Sequence, residues 1–382
     1  MAEKSVVVLG GGIGGVVAAR LLRRRLRDGR IALVDRSLSY RFQPSLLWLM
    51  SGARRRDQIT ADLGRLRRAG IDVIETEALE IDTHARTVKT IGPAIPYDRV
   101  VVAPGAELAP EALPGFVDAA HNLYTVEGAE AAGRALREFA GERIAVVVSR
   151  LPYKCPAAPY EAAMLAESII RRRGIRDRVS IDVFTPEPFP MPTAGPEIGE
   201  ALEAMLAGRG IGFHPEATVE GIDAAGRELV LAGGERAGFD LLLGIPPHRA
   251  PELLARSGLT ANGFVPVDRA TLATAAEGAY AIGDATAIPI AGGKFLPKAG
   301  VFAHGQAKVV AERIADELAG RTPTASFVGM GSCFVEMGDG IAAYATGNFY
   351  AEEAPDVRLH SPGRRWHIAK VAFEKYWLRR WY

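Results

Sequence analysis

The sequence predicts an α/β fold with two packed domains, and three observations lead to this prediction. The chain has 382 residues, which is long enough for two domains of ordinary size. A buried-strand pattern runs into a glycine-rich turn and a helical segment at residues 6–27. A second strand, turn and helical run occupy residues 142–173. Repeated units of this kind are typical of parallel sheets with helices on their faces.

Composition and charge exclude several classes of protein. Hydrophobic residues make up 48% of the chain and charged residues 24%, as in ordinary globular proteins. The formal net charge of +1 gives no overall attraction to nucleic acid, so we expect no nucleic-acid partner. No apolar run reaches the roughly 20 residues that span a bilayer. The first strand begins at Ser5, which leaves no room for a signal peptide, so we expect a cytosolic protein.

The first unit has the pattern of a dinucleotide site. Gly10, Gly12 and Gly15 give G-x-G-x-x-G between a strand and a helix. Gly10 permits the tight turn, Gly12 lets the backbone approach a pyrophosphate, and Gly15 permits close packing of helix and strand. The next strand ends in Asp35, where a carboxylate accepts from a ribose hydroxyl. We therefore predict that residues 5–35 bind a dinucleotide.

Two later segments belong to the same pattern. Residues 98–105 form a strand that ends in Ala103, Pro104 and Gly105. Much further along the chain, residues 278–285 form a strand that ends in Gly283 and Asp284. Both segments combine a buried strand with a glycine turn.

The second unit lacks the residues that hold phosphate. Its turn carries prolines and Cys155, one of only two cysteines, and has no glycine before Gly174. Proline has no N–H to donate and fixes φ, so this turn makes a poor phosphate cradle. The following strand ends in Thr185 and Pro186 rather than in an acid suited to a ribose. We expect no tight NAD(P)H binding, and interpret Cys155 either as a cleft-facing thiol or as a small buried apolar residue.

The three glycine-containing segments together resemble the two-domain flavoproteins of the pyridine nucleotide–disulfide oxidoreductase superfamily, which have a glutathione reductase-like fold. This resemblance implies an FAD domain that is split in sequence, with a second Rossmann-like domain inserted between its halves. The implied divisions are an FAD half at 1–110, the inserted domain at 111–270, the second FAD half at 271–325 and a C-terminal cap at 326–382.

Two motifs narrow the resemblance. Lys154-Cys155-Pro-Ala-Ala-Pro-Tyr-Glu161 and Leu296-Pro-Lys298-Ala-Gly-Val-Phe-Ala-His304 resemble motifs of sulfide:quinone oxidoreductases and of the flavoprotein subunit of flavocytochrome c sulfide dehydrogenases. The resemblance implies a redox-active pair, with Cys333 facing the flavin and Cys155 carrying a persulfide. It also implies that Lys298 lies beside the pyrimidine edge of the flavin.

The same resemblance gives Tyr40 to Pro44 a position along the isoalloxazine ring and Glu161 a position near the active site. Glu161 has a second interpretation, as an acid that complements the helix dipole from the first turn. The expected catalytic residues are Cys155, Cys333, Glu161 and Lys298. The expected FAD-binding residues are Gly10, Gly12, Ile13, Gly15, Asp35, Arg36, Ala78, Ala103, Pro104, Gly105, Gly283, Asp284, Lys298 and Gly300.

The chain departs from the resembled families in its cysteines. Residues 40–50 contain no cysteine to attach a flavin, so we expect FAD to be non-covalent. Residues 121–126 contain no third cysteine, which leaves the sulfur donor and product open. The histidines at 121, 214, 304 and 360 have no metal-ligand spacing, so we expect no metal site.

The C-terminal segment is rich in aromatic and basic residues. On a helical wheel Trp366, Ala369, Phe373, Trp377 and Trp381 form one stripe, flanked by Lys370 and Arg380. Such a helix suits an anionic membrane surface. The alternative is a helix that packs its aromatic residues on the protein's own core or on a dimer partner.

The predicted function is FAD-dependent oxidation of sulfide, or of a related thiol or persulfide, with a membrane quinone as electron acceptor. We expect the protein to lie peripherally on the inner face of the cell membrane, and a homo-oligomer remains open. The alternatives are a type II NADH:quinone oxidoreductase and a flavin-binding redox sensor without catalytic turnover.

Overall fold

A computed structural model describes residues 4–261 and 263–382. It contains two parallel five-stranded sheets, each covered by helices, and a C-terminal antiparallel sheet followed by a long helix. The α-helices of the described residues are α1 (Ile13–Arg25), α2 (Leu46–Met50), α3 (Phe116–Ala119), α4 (Val126–Glu138), α5 (Ala158–Arg172), α6 (Pro196–Ala207), α7 (Glu252–Arg256), α8 (Gly300–Leu318) and α9 (Arg364–Trp381).

The strands of the first half of the chain are β1 (Ser5–Leu9), β2 (Arg30–Asp35), β3 (Ser39–Arg41), β4 (Thr60–Asp62), β5 (Asp72–Glu75), β6 (Ala78–Asp82), β7 (Thr87–Thr90), β8 (Ile95–Pro96), β9 (Arg99–Val102), β10 (Glu107–Leu108), β11 (Ala120–Asn122), β12 (Arg143–Val148) and β13 (Ser180–Phe184). The remaining strands are β14 (Ile211–His214), β15 (Val219–Asp223), β16 (Glu228–Leu231), β17 (Arg236–Gly238), β18 (Leu241–Ile245), β19 (His248–Arg249), β20 (Val265–Pro266), β21 (Ala279–Ala281), β22 (Thr286–Ala287), β23 (Pro289–Ile290), β24 (Lys294–Phe295), β25 (Met330–Glu336), β26 (Ala342–Asn348) and β27 (Asp356–Gly363).

The first parallel sheet contains strands from both ends of the chain. Its order is β21–β9–β1–β2–β5, and every neighbouring pair is parallel. Strand β21 joins this sheet only after the chain has completed the second sheet, so the predicted insertion of one domain into the other is confirmed. Val6, Val7 and Val8 are fully buried, as expected for a central strand with helices on both faces.

Helices α1 and α8 pack closely against each other beside this sheet. A Cβ atom at Gly300 would lie 2.4 Å from the Cδ1 atom of Ile13. Glycine at the first position of α8 therefore lets the two helices approach at the end that bears the glycine turn.

The second parallel sheet has the order β11–β18–β12–β13–β14. Its pairs are also parallel, so the chain leaves each strand at the same edge. The turn that carries Cys155, called the cysteine turn below, follows β12 at this edge and leads into α5. Helix α5 begins at Ala158 and is buried over most of its length, including Glu161 and Glu167.

The C-terminal cap consists of β25–β26–β27 and α9. The predicted aromatic stripe of α9 does not lie on one exposed face. Trp377 and Trp381 are 1% and 5% exposed and pack on the protein's own core. Tyr40 and Phe42 offer an aromatic surface to Trp377, and the ring of His304 lies 5.3 Å from that of Trp381. Among the described residues no helix is both long and apolar enough to cross a membrane.

Candidate active site

The glycine turn at the start of α1 has the close contacts that its sequence predicts. Gly10 has φ +98°, and a Cβ atom there would lie 2.3 Å from the carbonyl oxygen of Ala103. A Cβ atom at Gly15 would lie 1.8 Å from the carbonyl oxygen of Gly10. Gly12 instead faces open space, with no atom within 4 Å of a Cβ position. Of the three glycines, only Gly12 therefore has free space on the side where a side chain would project.

The parallel order of the first sheet brings the predicted strand-end residues to one edge. Asp35 ends β2, and Ala103 and Gly283 come just after β9 and β21, which are neighbours in the sheet. Asp35 accepts a hydrogen bond from the Gly11 N–H at 2.6 Å. Gln306 of α8, which the sequence did not single out, accepts from the Gly283 N–H at 2.6 Å.

Pro104 and Gly105, the latter with φ +76°, continue the chain from this edge and are partly exposed. Arg36, which directly follows Asp35, and Ala78 are two further predicted FAD contacts. The Arg36 side chain is 72% exposed and its nearest carboxylate, on Glu107, is 3.9 Å away. Ala78 begins β6 in a separate antiparallel sheet. Their role toward FAD stays a prediction.

Lys298 is a buried cation next to the Gly-Asp turn. Its ammonium donates to the carbonyl oxygens of Asp284 at 2.7 Å and Thr286 at 3.1 Å. It also lies 3.5 Å from the centre of the Phe264 ring. Burial lowers the pKa of Lys298 to about 8, although the nearby Asp284 carboxylate opposes this shift. Burial likewise raises the pKa of Asp284.

These residues fit a bound dinucleotide. Helices α1 and α8 both begin at this edge without a side-chain cap and without an acid in the first turn. Uncapped N–H groups and the positive end of the helix dipole suit a pyrophosphate. The space at Gly12 gives such a group room, Asp35 is available to a ribose, and Lys298 supplies a positive charge.

The cysteine turn is joined directly to Lys298. The backbone N–H of Cys155 donates to the carbonyl oxygen of Lys298 at 2.7 Å, and Lys154 forms a β-bridge with Lys298. Cys155 has φ +57°, a conformation that non-glycine residues adopt rarely and mostly at special sites. The structure thus brings two of the predicted catalytic residues together.

A buried acid that the sequence did not single out, Glu187, bonds residues on both sides of Cys155. Glu187 accepts hydrogen bonds from Tyr153 at 2.9 Å and from Thr185 at 3.3 Å, and a third from Tyr160. Burial raises the pKa of Glu187, although these hydroxyl groups oppose the shift. Glu187 comes directly after Pro186 and two residues after Thr185, so inspection of the strand end alone overlooked it. Its carboxylate is occupied by the cysteine turn and by α5.

Cys333 reaches the same region from β25. Glu161, in the first turn of α5, accepts from the backbone N–H of Glu336 at 2.6 Å and from the Lys370 ammonium at 2.9 Å. Helix α5, which follows Cys155, is therefore joined to the strand that carries Cys333. Glu161 is 3% exposed, so it is a buried, paired carboxylate in the first turn of α5.

The two cysteines are free thiols in the structure and share one electrostatic environment. Burial raises the pKa of Cys155 well above its ordinary value, and the neighbouring Cys333 and Glu161 add to the shift. Burial also raises the pKa of Cys333, to about 12, with Glu161 again adding to it. Lys370 opposes both shifts. The sequence suggested only that Lys370 borders the aromatic stripe of the C-terminal helix. In the structure it is the cation of the thiol site, which comprises Cys155, Cys333, Glu161 and Lys370.

The comparison with known proteins agrees with this geometry. The profile described as "Pyridine nucleotide-disulphide oxidoreductase" matches residues 4–149 and 152–307, on both parallel sheets. The chain belongs to this family. It is an FAD-dependent oxidoreductase. That the glycine turn, Asp35 and Lys298 hold the cofactor stays a prediction, which the geometry above fits.

Individual relatives of this oxidoreductase carry more specific names. The sulfide-quinone reductase of Aquifex aeolicus is 28% identical, over 98% of this chain and 90% of that protein. The mitochondrial sulfide:quinone oxidoreductase of Mus musculus is 26% identical, over 74% of this chain and 66% of that protein. The crystal structure of the Aquifex aeolicus sulfide:quinone oxidoreductase superposes with a TM-score of 0.89 at 26% identity, over 99% of this chain and 91% of that one. The predicted resemblance and the predicted fold class are confirmed.

Proposed function

We propose that the protein oxidises sulfide, or a related small thiol or persulfide, through a redox disulfide between Cys155 and Cys333. The electrons pass through FAD to a membrane quinone. The observation that carries this proposal is the connection between the two cysteine segments: Glu161 joins α5 to β25, and Cys155 is bonded to the backbone of Lys298. The names of the relatives supply the donor and the acceptor.

The chemistry begins with hydrosulfide attack on the disulfide. The sulfur–sulfur bond between the cysteines breaks, a new one forms to the incoming sulfur, and Cys155 becomes a persulfide while Cys333 leaves as a thiolate. Because burial raises the pKa of Cys333 to about 12, the ammonium of Lys370 is the group that stabilises this anion. A second sulfide or thiol then removes the outer sulfur of the persulfide and leaves Cys155 as a thiol. When bound, FAD would accept the two electrons that are released as Cys155 and Cys333 re-form their disulfide. Lys298 then places a positive charge beside the cofactor.

Access to quinone is proposed through the outer face of α9. Ile368, Phe373 and Tyr376 are 65%, 46% and 62% exposed there. Basic residues on the same outer surface are exposed as well, namely Arg364, Arg365, Lys375 and Arg379. Apolar side chains bordered by basic ones suit an anionic membrane surface, which would be the inner face of the cell membrane.

The type II NADH:quinone oxidoreductase alternative is disfavoured by Glu187. In a nucleotide-binding unit an acid beyond the second strand bonds a ribose. Here its carboxylate accepts from Tyr153, Tyr160 and Thr185, and the turn before α5 carries no glycine.

The test is anaerobic mixing of the FAD-loaded protein with sulfide while the flavin absorbance is recorded. We expect rapid bleaching with a long-wavelength charge-transfer band, followed by reoxidation on addition of a soluble quinone. Cys155→Ser and Cys333→Ser should abolish both signals. Ser332→Ala is the matched control, because neighbouring strand residues point to opposite faces.

Prompt bleaching by NADH with no response to sulfide would overturn the proposal in favour of the NADH enzyme. A flavin that sulfide reduces but quinone does not reoxidise would overturn the quinone step and support a redox sensor.

A further inference from the structure

A second group of titratable side chains extends from the thiol site toward solvent. The Nδ1 atom of His367 lies 2.9 Å from the Oε1 atom of Glu336. The Glu336 side chain is 2% exposed, whereas that of His367 is 28% exposed. On the inner side, the backbone of Glu336 donates to Glu161, which also pairs with Lys370. Three elements, α5, β25 and α9, therefore contribute to one continuous cluster.

The carboxyl group of Glu336 is in an unusual state for a buried acid. Its Oε2 atom is buried and has no hydrogen-bond partner among the described residues. A buried carboxylate oxygen without a partner is costly, so the neutral, protonated form is favoured. Burial raises the pKa of Glu336, Lys370 opposes the shift, and Glu161 adds to it. Glu336 is therefore suited to taking up and releasing a proton.

Lys370 lies between the two acids. Burial lowers its pKa, but the carboxylates of Glu161 and Glu336 outweigh that effect and raise it. The ring of Trp48 packs over this region, with the Lys370 ammonium 5.0 Å and the His367 ring 5.9 Å from its centre.

Arg54 also lies at the Trp48 ring, with its guanidinium 4.4 Å from the ring centre, and it forms an ion pair with Glu374 at 2.7 Å. The charged groups that act on Glu336 are thus Glu161 from α5 and Lys370 and His367 from α9, whereas Arg54, paired with Glu374, lies at the Trp48 ring.

The proposed reaction needs a proton from solution. Hydrosulfide gives up two electrons and one proton as it becomes sulfane sulfur, whereas a quinone takes up two electrons and two protons. Each turnover therefore consumes one net proton. The thiol site is buried, so a route from water is required.

We propose that His367 and Glu336 form this route. A proton enters at the partly exposed imidazole of His367, passes from Nδ1 to the Glu336 carboxyl group, and reaches the Glu161–Lys370 pair. From this pair it supplies the net proton that quinone takes up when it reoxidises the flavin. The inference rests on the proposed quinone reaction, and it assigns a role to two residues that neither touch the thiols nor hold the cofactor.

The experiment separates the half-reactions. The FAD-loaded protein is photoreduced without sulfide and mixed with a soluble quinone in dilute, weakly buffering medium. We expect His367→Ala to slow flavin reoxidation roughly 10-fold or more. This is less than the roughly 100-fold or more typical of a proton donor at the reacting atoms, because His367 acts through Glu336. Free imidazole should restore the rate in proportion to its protonated fraction. His367→Gln keeps a bond to Glu336 but cannot titrate, so it should show the same loss at unchanged FAD content.

The matched control is His360→Ala. His360 lies in the same cap and stacks on Tyr344 at 5.7 Å. It should reoxidise like the wild type, with no response to imidazole.

Wild-type reoxidation rates in both His367 variants would overturn the relay, as would a loss that imidazole does not restore. If the reduced wild-type protein fails to transfer electrons to quinone, the proposed function itself fails and the relay with it.

Discussion

The Glu161–Lys370 pair gives the sharpest test of how the thiol site is held together. The two side chains are 5% and 11% exposed, and their charged atoms lie 2.9 Å apart. At an effective dielectric constant of 20, charges at this separation attract by about 6 kcal/mol. Removal of one member of such a buried pair typically costs about 3–5 kcal/mol, because the other charge stays buried without its partner.

Lys370→Met removes the ammonium and keeps a flexible apolar chain of similar length. We expect the free energy of unfolding of the FAD-loaded protein to fall by about 3–5 kcal/mol. Glu161→Gln keeps an oxygen acceptor for the Glu336 N–H but leaves Lys370 without its strongest partner, so a similar loss is expected. The double variant has no unpaired charge at this position. Its loss should be smaller than the sum of the single losses by about 2–3 kcal/mol.

The assay is urea denaturation followed by tryptophan fluorescence, with FAD release recorded in parallel because cofactor loss breaks two-state behaviour. A second readout is alkylation of the reduced cysteines by iodoacetamide. Loss of the Lys370 charge should raise the pKa of Cys333 further, and each unit slows alkylation about 10-fold. This account of the pair would be refuted if the double variant lost as much unfolding free energy as the two single variants together, and if the alkylation rate were unchanged in Lys370→Met.

Four further variants test the cofactor site and the tail. Gly12→Ala should fold normally yet bind FAD more weakly, because a methyl group there meets no protein atom but occupies ligand space, and equilibrium titration with FAD checks this. Full affinity would show that the pyrophosphate lies elsewhere. Lys298→Met should lower the flavin reduction potential by about 30 mV, equivalent to about 1.4 kcal/mol. In the wild type the same stabilisation should be present below pH 8 and lost as the pH rises through about 8, where Lys298 loses its charge. A potential that lacks this break would contradict the assignment. Trp377→Ala should cost about 3–5 kcal/mol of unfolding free energy, since the side chain is 1% exposed. Phe373→Ala should leave stability nearly unchanged and weaken binding to anionic vesicles, and equal vesicle binding would remove α9 as the membrane contact.

The first nucleotide site could be predicted in detail from the sequence because its signals are local. The three glycines are needed within six residues of one another, for reasons of backbone space that the structure confirms at Gly10 and Gly15. Asp35 and Ala103 end strands, and the ends of parallel strands meet at one edge. The lack of a phosphate-binding turn around Cys155 could be predicted equally well, because the segment has no glycine and its prolines have no N–H to donate.

The side-chain partners within the thiol site could not be predicted in this way. Lys370 is 209 residues from Glu161, and no spacing rule connects two residues on separate elements. Glu187 was overlooked for a related reason. Its burial depends on hydroxyl groups from the neighbouring turn and helix, whose positions follow from the packing of α5 on the sheet.

The tail shows the same division between sequence and structure. Its sequence by itself determined that residues 364–381 form a helix rich in aromatic and basic side chains. It could not determine which face would be buried, because apolar side chains occur on both faces of the helix. Only the tertiary structure decided this, since Tyr40 and Phe42 provide the aromatic surface that covers Trp377. Helical periodicity specifies the direction of each side chain relative to its neighbours, whereas burial depends on what the rest of the chain places opposite it.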